Sequence, residues 1–255
     1  MTQPSPEMVQ PPFHSAEDTL LELMREGTLT LEGLIPWSSN YTFLARIGQG
    51  PNPTLVIYKP IRGEQPLWDF PRGTLARRET ASYLVSRALR WNLVPPTVLR
   101  RGPHGLGSVQ LYVEVDQDAH YFTFQNDSAY RKVLMALALF DVVANNADRK
   151  AGHCLAIEPG RVLAIDQGLC FHVEGKLRTV IWDFAGEPIP ASLTPDLRRL
   201  QAELGNDQGA LTADLTSLLS QAEIAALRRR LAQLLKGGRY PNPPEDRRPY
   251  PWPLV

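Results

Sequence analysis

A chain of 255 residues with 43% hydrophobic and 21% charged residues carries enough apolar material for one large domain or two small lobes, and this usage excludes a disordered or fibrous chain. Lys and Arg total 27 and Asp and Glu total 27, so the basic footprint of a protein built around a phosphate backbone is missing and no nucleic-acid partner is expected. Apolar runs such as 133–140 fall far short of the roughly 20 residues that span a bilayer, no secretory signal opens the sequence, and Cys154 and Cys170 alone imply no disulfide framework. The expectation is a cytoplasmic monomer with no transmembrane segment.

Proline crowds both ends, so 1–14 and 241–255 read as Pro-rich extended tails, with Tyr250 and Trp252 leaving room for the second to dock. Ser15 and Asp18 open an amphipathic helix that runs to about Glu26. Alternating residues then predict strands at 41–47 and 54–59 around the turn 48–53. Ala81, Leu84, Val85 and Ala88 recur at helical spacing in 74–92, Pro95-Pro96 breaks the chain, and two more strands follow at 97–101 and 108–115. A strong helix at 128–145 precedes short strands at 154–157 and 162–165, joined by the turn Glu158-Pro159-Gly160-Arg161. Helices at 195–204 and 221–235 complete the body, the second with Arg228-Arg229-Arg230 on a solvated face. The domain reading is a β-rich N-lobe over 15–113 and a helical C-lobe over 114–240, an α+β fold.

Four ionisable residues acquire meaning from this order: Lys59 ends a strand, Glu79 lies in the next helix, Asp148 follows the long helix, and Asp166 follows the second short strand. Phosphoryl transfer needs a cation on the nucleotide phosphates, a carboxylate orienting that cation, ligands for a divalent metal and a carboxylate beside the attacking hydroxyl. The stretch Asn145–His153 supplies Asp148, a cation two residues on at Lys150 and a candidate ligand five residues on at His153, in the D-x-K-x-x-N register of a kinase catalytic loop. Ile165-Asp166-Gln167-Gly168 then delivers a carboxylate and a glycine turn, as in D-F-G. No P-loop, hydrolase elbow or paired Cys/His zinc spacing occurs.

The segments Leu55-Val56-Ile57-Tyr58-Lys59-Pro60, Arg78-Glu79-Thr80-Ala81, Val94-Pro95-Pro96-Thr97, Asn146-Ala147-Asp148-Arg149 and Ile165-Asp166-Gln167-Gly168 resemble the catalytic domain of phosphatidylinositol 3- and 4-kinases and their atypical-kinase relatives, in particular a short bacterial family related to them. The resemblance covers roughly residues 40–185. It implies a two-lobed, protein-kinase-like fold using ATP with Mg²⁺ or Mn²⁺. Lys59 would bind the α/β-phosphates, Glu79 would hold Lys59, Asp148 would orient or deprotonate the acceptor, and Asp166 would hold the metal. The adenine hinge would be Gln110–Glu114, including Tyr112 and Val113.

Three departures accompany the resemblance. Only Ser38-Ser39-Asn40 stands where a Gly-rich phosphate loop would be, so hydroxyls and backbone N–H groups would contact the phosphates. Gln167 replaces the phenylalanine of D-F-G. His153 replaces the second metal-binding asparagine and reads as a ligand, as a hydrogen-bond partner of the phosphates or Asp166, or as a plain loop histidine. Glu79 lies almost opposite the apolar stripe of its helix, so periodicity does not turn it inward, and Glu64 or Asp69 could take its place. The expected activity is phosphoryl transfer from ATP to a hydroxyl of a small molecule, lipid head group or protein, with protein AMPylation or a nucleotide-binding pseudokinase as alternatives. His172, Lys176, Arg178 and Trp182 in 169–189 could hold an anionic acceptor or form an ordinary loop.

Overall fold

The computed structural model describes residues 16–36, 38, 40–49, 53–116 and 118–255. Helix α1 (Ala16–Glu26) is followed by strands β1 (Leu29–Leu34), β2 (Phe43–Ile47) and β3 (Thr54–Pro60), helix α2 (Leu75–Leu89), and strands β4 (Thr97–Gly102) and β5 (Gly105–Leu111). The five strands form one antiparallel sheet in the order β1-β2-β3-β5-β4. The proposed cap Ser15 and the stretch 1–14 lie outside the described residues.

Strand β1 departs from the expectation, which has no strand at 29–34. It is a sheet edge, mostly exposed, and its register shifts between Leu31 and Gly33, so it carries no clean alternation. The consequence is functional: the segment with Ser38 and Asn40 is the β1–β2 turn rather than a lead-in to the first strand. β5 also starts earlier than 108 and stops at Leu111. Gly102 pairs with Gly105 across a two-residue turn, and Gly105 has φ +97°, which a glycine adopts without strain. Tyr112, Val113 and Glu114 therefore lie beyond the strand.

Val56 and Tyr58 are fully buried in the core, and alternation along β3 places Lys59 on the other face, toward α2. That helix packs against β4, β5 and the C-lobe helices at once, and eleven of its fifteen residues are buried. Glu79 is only 3% exposed for this reason, although the apolar stripe points elsewhere: a helix enclosed on nearly all sides has no solvent face for the wheel to find. The helix ends where Arg90 takes a left-handed conformation, short of the expected 92.

Helices α3 (Tyr121–Phe124) and α4 (Ser128–Ala144), the hairpin β6 (Cys154–Glu158) and β7 (Arg161–Ala164), and helices α5 (Thr194–Gly205), α6 (Ala210–Leu218) and α7 (Gln221–Gly237) build the second lobe. Helices α3 and α6 are additions to the sequence reading. Asp127 caps α4 by accepting the Ala129 N–H at 2.9 Å, and Asn145 ends it with φ +54°. Ser220 and Glu223 form a capping box on α7. The three arginines of α7 do not share a solvated face: Arg229 is exposed, but Arg228 pairs with Asp207, and Arg230 donates to the carbonyls of Val143 and His172.

Residues 241–255 contain no helix or strand, yet they are bound to the body rather than loose. Pro249 O accepts the Thr179 N–H at 3.1 Å and the Trp182 indole N–H at 3.2 Å, and Leu254 O accepts the Ala151 N–H at 2.8 Å.

Arg78 fixes α2 to the second lobe. Fully buried, it donates to Thr74 Oγ1, to Cys170 O at 2.5 Å and to the Glu223 carboxylate. Removing one partner of a buried ion pair typically costs ~3–5 kcal/mol, so Arg78→Met should lower Tm by about 10 °C in a chain of this size. Thermal unfolding followed by circular dichroism checks this; a Tm within about 2 °C of the parent would show that the pair does not secure the helix.

Candidate active site

Lys59 Nζ lies 2.6 Å from Glu79 Oε1 and 3.0 Å from Asp166 Oδ1, so a strand, a helix and the loop after β7 meet at one ammonium. Burial works against the lysine's charge, but the two carboxylates more than offset it and raise its pKa. The ammonium in turn holds the Asp166 carboxyl well below the usual carboxylate range. Glu79 spends its second oxygen on the Gln167 N–H at 2.9 Å. Lys59, Glu64, Glu79, Asp148 and Asp166 line one cavity of about 140 Å³, with Asn40 also in its wall. The pairing partner of Lys59 is therefore Glu79. Glu64 instead accepts the Ala76 N–H at 2.9 Å, and Asp69 pairs with Lys176 at 2.9 Å.

Asp148 sits one turn of chain beyond α4. Its backbone N–H donates to Asn146 Oδ1 at 2.8 Å, and its carboxylate is 3.5 Å from Lys150 Nζ. Burial pushes its carboxyl up to about 6, with Lys150 opposing and Asp166 adding to the shift. This is a carboxyl poised to take a proton near neutral pH.

His153 Nδ1 lies 3.0 Å from Asp148 O and 3.4 Å from the Lys150 N–H, while Nε2 faces Asp166 Oδ2 at 3.4 Å. The shorter contact requires the proton on Nδ1, since a carbonyl cannot donate. Burial, resisted in part by Asp166, holds the ring down to about 4, and thus neutral at physiological pH. Nε2 then presents a lone pair to a carboxylate oxygen, two acceptors aimed at common ground. That donor set fits a divalent cation held by Asp166 and His153, whose remaining ligands would be phosphate and water oxygens; no group of three His, Cys, Asp or Glu ligands is assembled among the described residues. Imidazole nitrogen suits Mn²⁺ better than Mg²⁺. Nucleotide titrations should therefore show tighter binding with Mn²⁺, and His153→Asn should move the preference toward Mg²⁺. Superimposable curves for the two metals in both proteins would leave His153 with no metal role.

The other expected residues divide. Asn40 faces the cavity wall, with Oδ1 accepting the Gln65 N–H at 2.7 Å; Ser38 hydrogen-bonds Thr42 at 2.7 Å within the same turn; Ser39 lies outside the described residues. Gln110 is buried and its amide donates to Thr97 Oγ1 at 2.9 Å, so that nitrogen is engaged within the sheet. Tyr112 and Glu114 are exposed and Val113 half-buried in the connection between the lobes. Three of the four residues expected near an acceptor are engaged elsewhere: Lys176 with Asp69, His172 Nε2 with Asp69 O, and the Trp182 indole N–H with Pro249 O.

Sequence reasoning missed the buried network beneath these loops. Asp141 and Arg149, both fully buried, pair at 3.0 Å, and Thr179 donates to the same carboxylate at 3.0 Å. Burial raises the Asp141 pKa despite the guanidinium. A single aspartate inside the apolar run 133–144 was the available signal, because such a residue must find a partner.

No family model matches the chain. It is 41% identical over 264 residues to Protein Rv2133c of Mycobacterium tuberculosis (strain ATCC 25618 / H37Rv), a match covering 91% of this chain and 94% of that protein. The chain belongs to the Rv2133c family. Three solved structures share the fold of this chain: the Golgi casein kinase with Mn/ADP bound (TM-score 0.56, 14% identity, 86% of this chain and 74% of that one), hydra Fam20 with sugar (0.55, 16%, 85% and 86%) and the Helicobacter pylori proinflammatory kinase CtkA (0.50, 10%, 85% and 94%). At these identities the likeness is one of fold. This chain therefore has an α+β, two-lobed, kinase-like fold, which it shares with two proteins solved as kinases.

Proposed function

We propose that this protein is an ATP- and divalent-metal-dependent kinase, of the phosphatidylinositol 3-/4-kinase-like atypical type, that phosphorylates a hydroxyl of a cytoplasmic acceptor. One observation carries the reading: Lys59 Nζ is held between Glu79 and Asp166 in a cavity that Asp148 also lines. The likeness to a Golgi casein kinase solved with Mn/ADP supports nucleotide and metal use. The motifs around Lys59, Asp148 and Asp166 support the narrower type, and two free, buried thiols at Cys154 and Cys170 suit a reducing compartment.

Lys59 would meet the nucleotide phosphates, with Glu79 holding its ammonium in place. A cation held by Asp166 and His153 would supply charge neutralisation at the phosphates. Asp148 takes the proton from the acceptor hydroxyl as its oxygen bonds to the γ-phosphorus and the bond to the β,γ-bridging oxygen breaks, releasing ADP. A second cavity of about 340 Å³ adjoins the first through Glu64, Gln65, Leu67 and Leu75, and would be room for a small acceptor that reaches across that shared wall toward Asp148. Incubation with γ-labelled ATP, Mn²⁺ and a small-molecule extract tests the reading. Label should appear in an organic phosphate with the parent protein and not with Asp166→Ala; equal labelling by both would contradict it.

A further inference from the structure

Gln167 is where the sequence departs from D-F-G, and it is also where the active-site elements are joined. Its side chain is fully buried. Oε1 accepts from Arg149 Nη2 at 3.0 Å, from Asn146 Nδ2 at 3.3 Å and from the Cys170 thiol at 3.5 Å, while Nε2 donates to Ile165 O at 3.3 Å. Arg149 can only donate, so the oxygen must face it. Asn146 passes the connection on, because its Oδ1 accepts the backbone N–H of Asp148. The Gln167 N–H meanwhile holds Glu79 Oε2. Arg149 closes the circuit by donating to Ile165 O at 3.0 Å and pairing with Asp141 on α4. Within this circuit Asp166 stands at φ +58°, a left-handed conformation that aspartate adopts more readily than most residues other than glycine.

We propose that Gln167 is a positioning residue that sets Glu79, Asp148 and Asp166 in register, so that the active site is assembled in the free protein and the loop bearing Asp166 does not need nucleotide to order it. A phenylalanine at this position would leave Arg149 Nη2 and Asn146 Nδ2, which both also donate to Asp141 Oδ1, each one acceptor short in a buried site. Gln167 thus marks a site built around a polar hub rather than the loss of one.

Hydrogen exchange tests the claim on the wild-type protein without reference to turnover. Amides in 165–168 and 146–150 should be protected in the free protein, and Mn²⁺ with ADP should change that protection less than about threefold. Gln167→Met, similar in length but without polar atoms, should speed exchange in both segments at least ~10-fold while α7 keeps its protection, since only the local bonds are lost. Gln167→Glu, which retains the accepting oxygen, should restore most of it. The kinetic arm rests on the kinase reading: Gln167→Met should lower kcat about 10-fold and leave the nucleotide KM within about twofold. Fast exchange at 165–168 in the free wild-type protein, suppressed only by nucleotide, would overturn the proposal even if no variant folds. So would a Gln167→Met protein that matches the parent, or one that loses protection equally in α7. Failure of turnover in the parent with the exchange pattern intact would count against the kinase reading alone.

Discussion

Asp148→Asn should bind Mn²⁺–nucleotide as the parent does and release ADP at least ~10²-fold more slowly, the low end of what a positioned proton acceptor contributes. The side chain lines the cavity but ion-pairs with Lys150, not with Lys59, so its loss removes a proton acceptor without disturbing the phosphate contacts. The pH profile follows from the same carboxyl. Burial raises it to about 6 in the free protein, and only the ionised form can take the proton. The kcat/KM for metal–nucleotide, which reports the free enzyme, should therefore be flat above about pH 7 and fall as pH drops through about 6. Steady-state rates between pH 5 and pH 8 check both points. Parent-like turnover in the Asn variant would remove Asp148 from the chemistry.

Lys59→Met should abolish most of the thermal shift that Mn²⁺ and ADP give the parent. A ligand at 100 times its Kd stabilises the native state by ~2.7 kcal/mol, which in a chain of this size raises Tm by about 5–10 °C. On the proposed reading the variant loses the cation that would meet the phosphates, and it leaves Glu79, 4% exposed at its side chain, facing Asp166 with no ammonium between them. Its Tm without ligand should also fall, because the buried carboxylate loses its partner. Differential scanning fluorimetry of both proteins with and without ligand reads both effects. A full shift in the variant would place the phosphates elsewhere.

The residues that meet at the site were legible where punctuation fixed them. Lys59 closes an alternating strand, Asp148 follows a long apolar helix, and Asp166 follows a short hairpin strand; each stands at the end of an element whose period is plain. Glu79 was not legible from its wheel, because α2 is enclosed on nearly every side. The β1–β2 turn was misplaced because an exposed, bulged edge strand carries no readable alternation. Gln167 looked like a loss because its partners, Asn146 and Arg149, come from a loop some 20 residues away and declare nothing by spacing. Tyr250 and Trp252 left room for the C-terminal segment to dock, but the sequence could not show how: its contacts with 151, 179 and 182 are made by the backbone carbonyls of Pro249 and Leu254. Local periodicity locates elements, whereas polar networks and backbone docking belong to tertiary structure.

On the proposed kinase reading, the group transferred from ATP is the γ-phosphoryl. Phosphorus NMR of the products formed from ATP and Mn²⁺ tests it most directly, with Asp166→Ala as the control. The parent protein should yield ADP together with inorganic or organic monophosphate, and the control no product above background. AMP or an AMP ester with pyrophosphate, which would mean attack at the α-phosphorus, would contradict it, and so would no metal-dependent product from the parent.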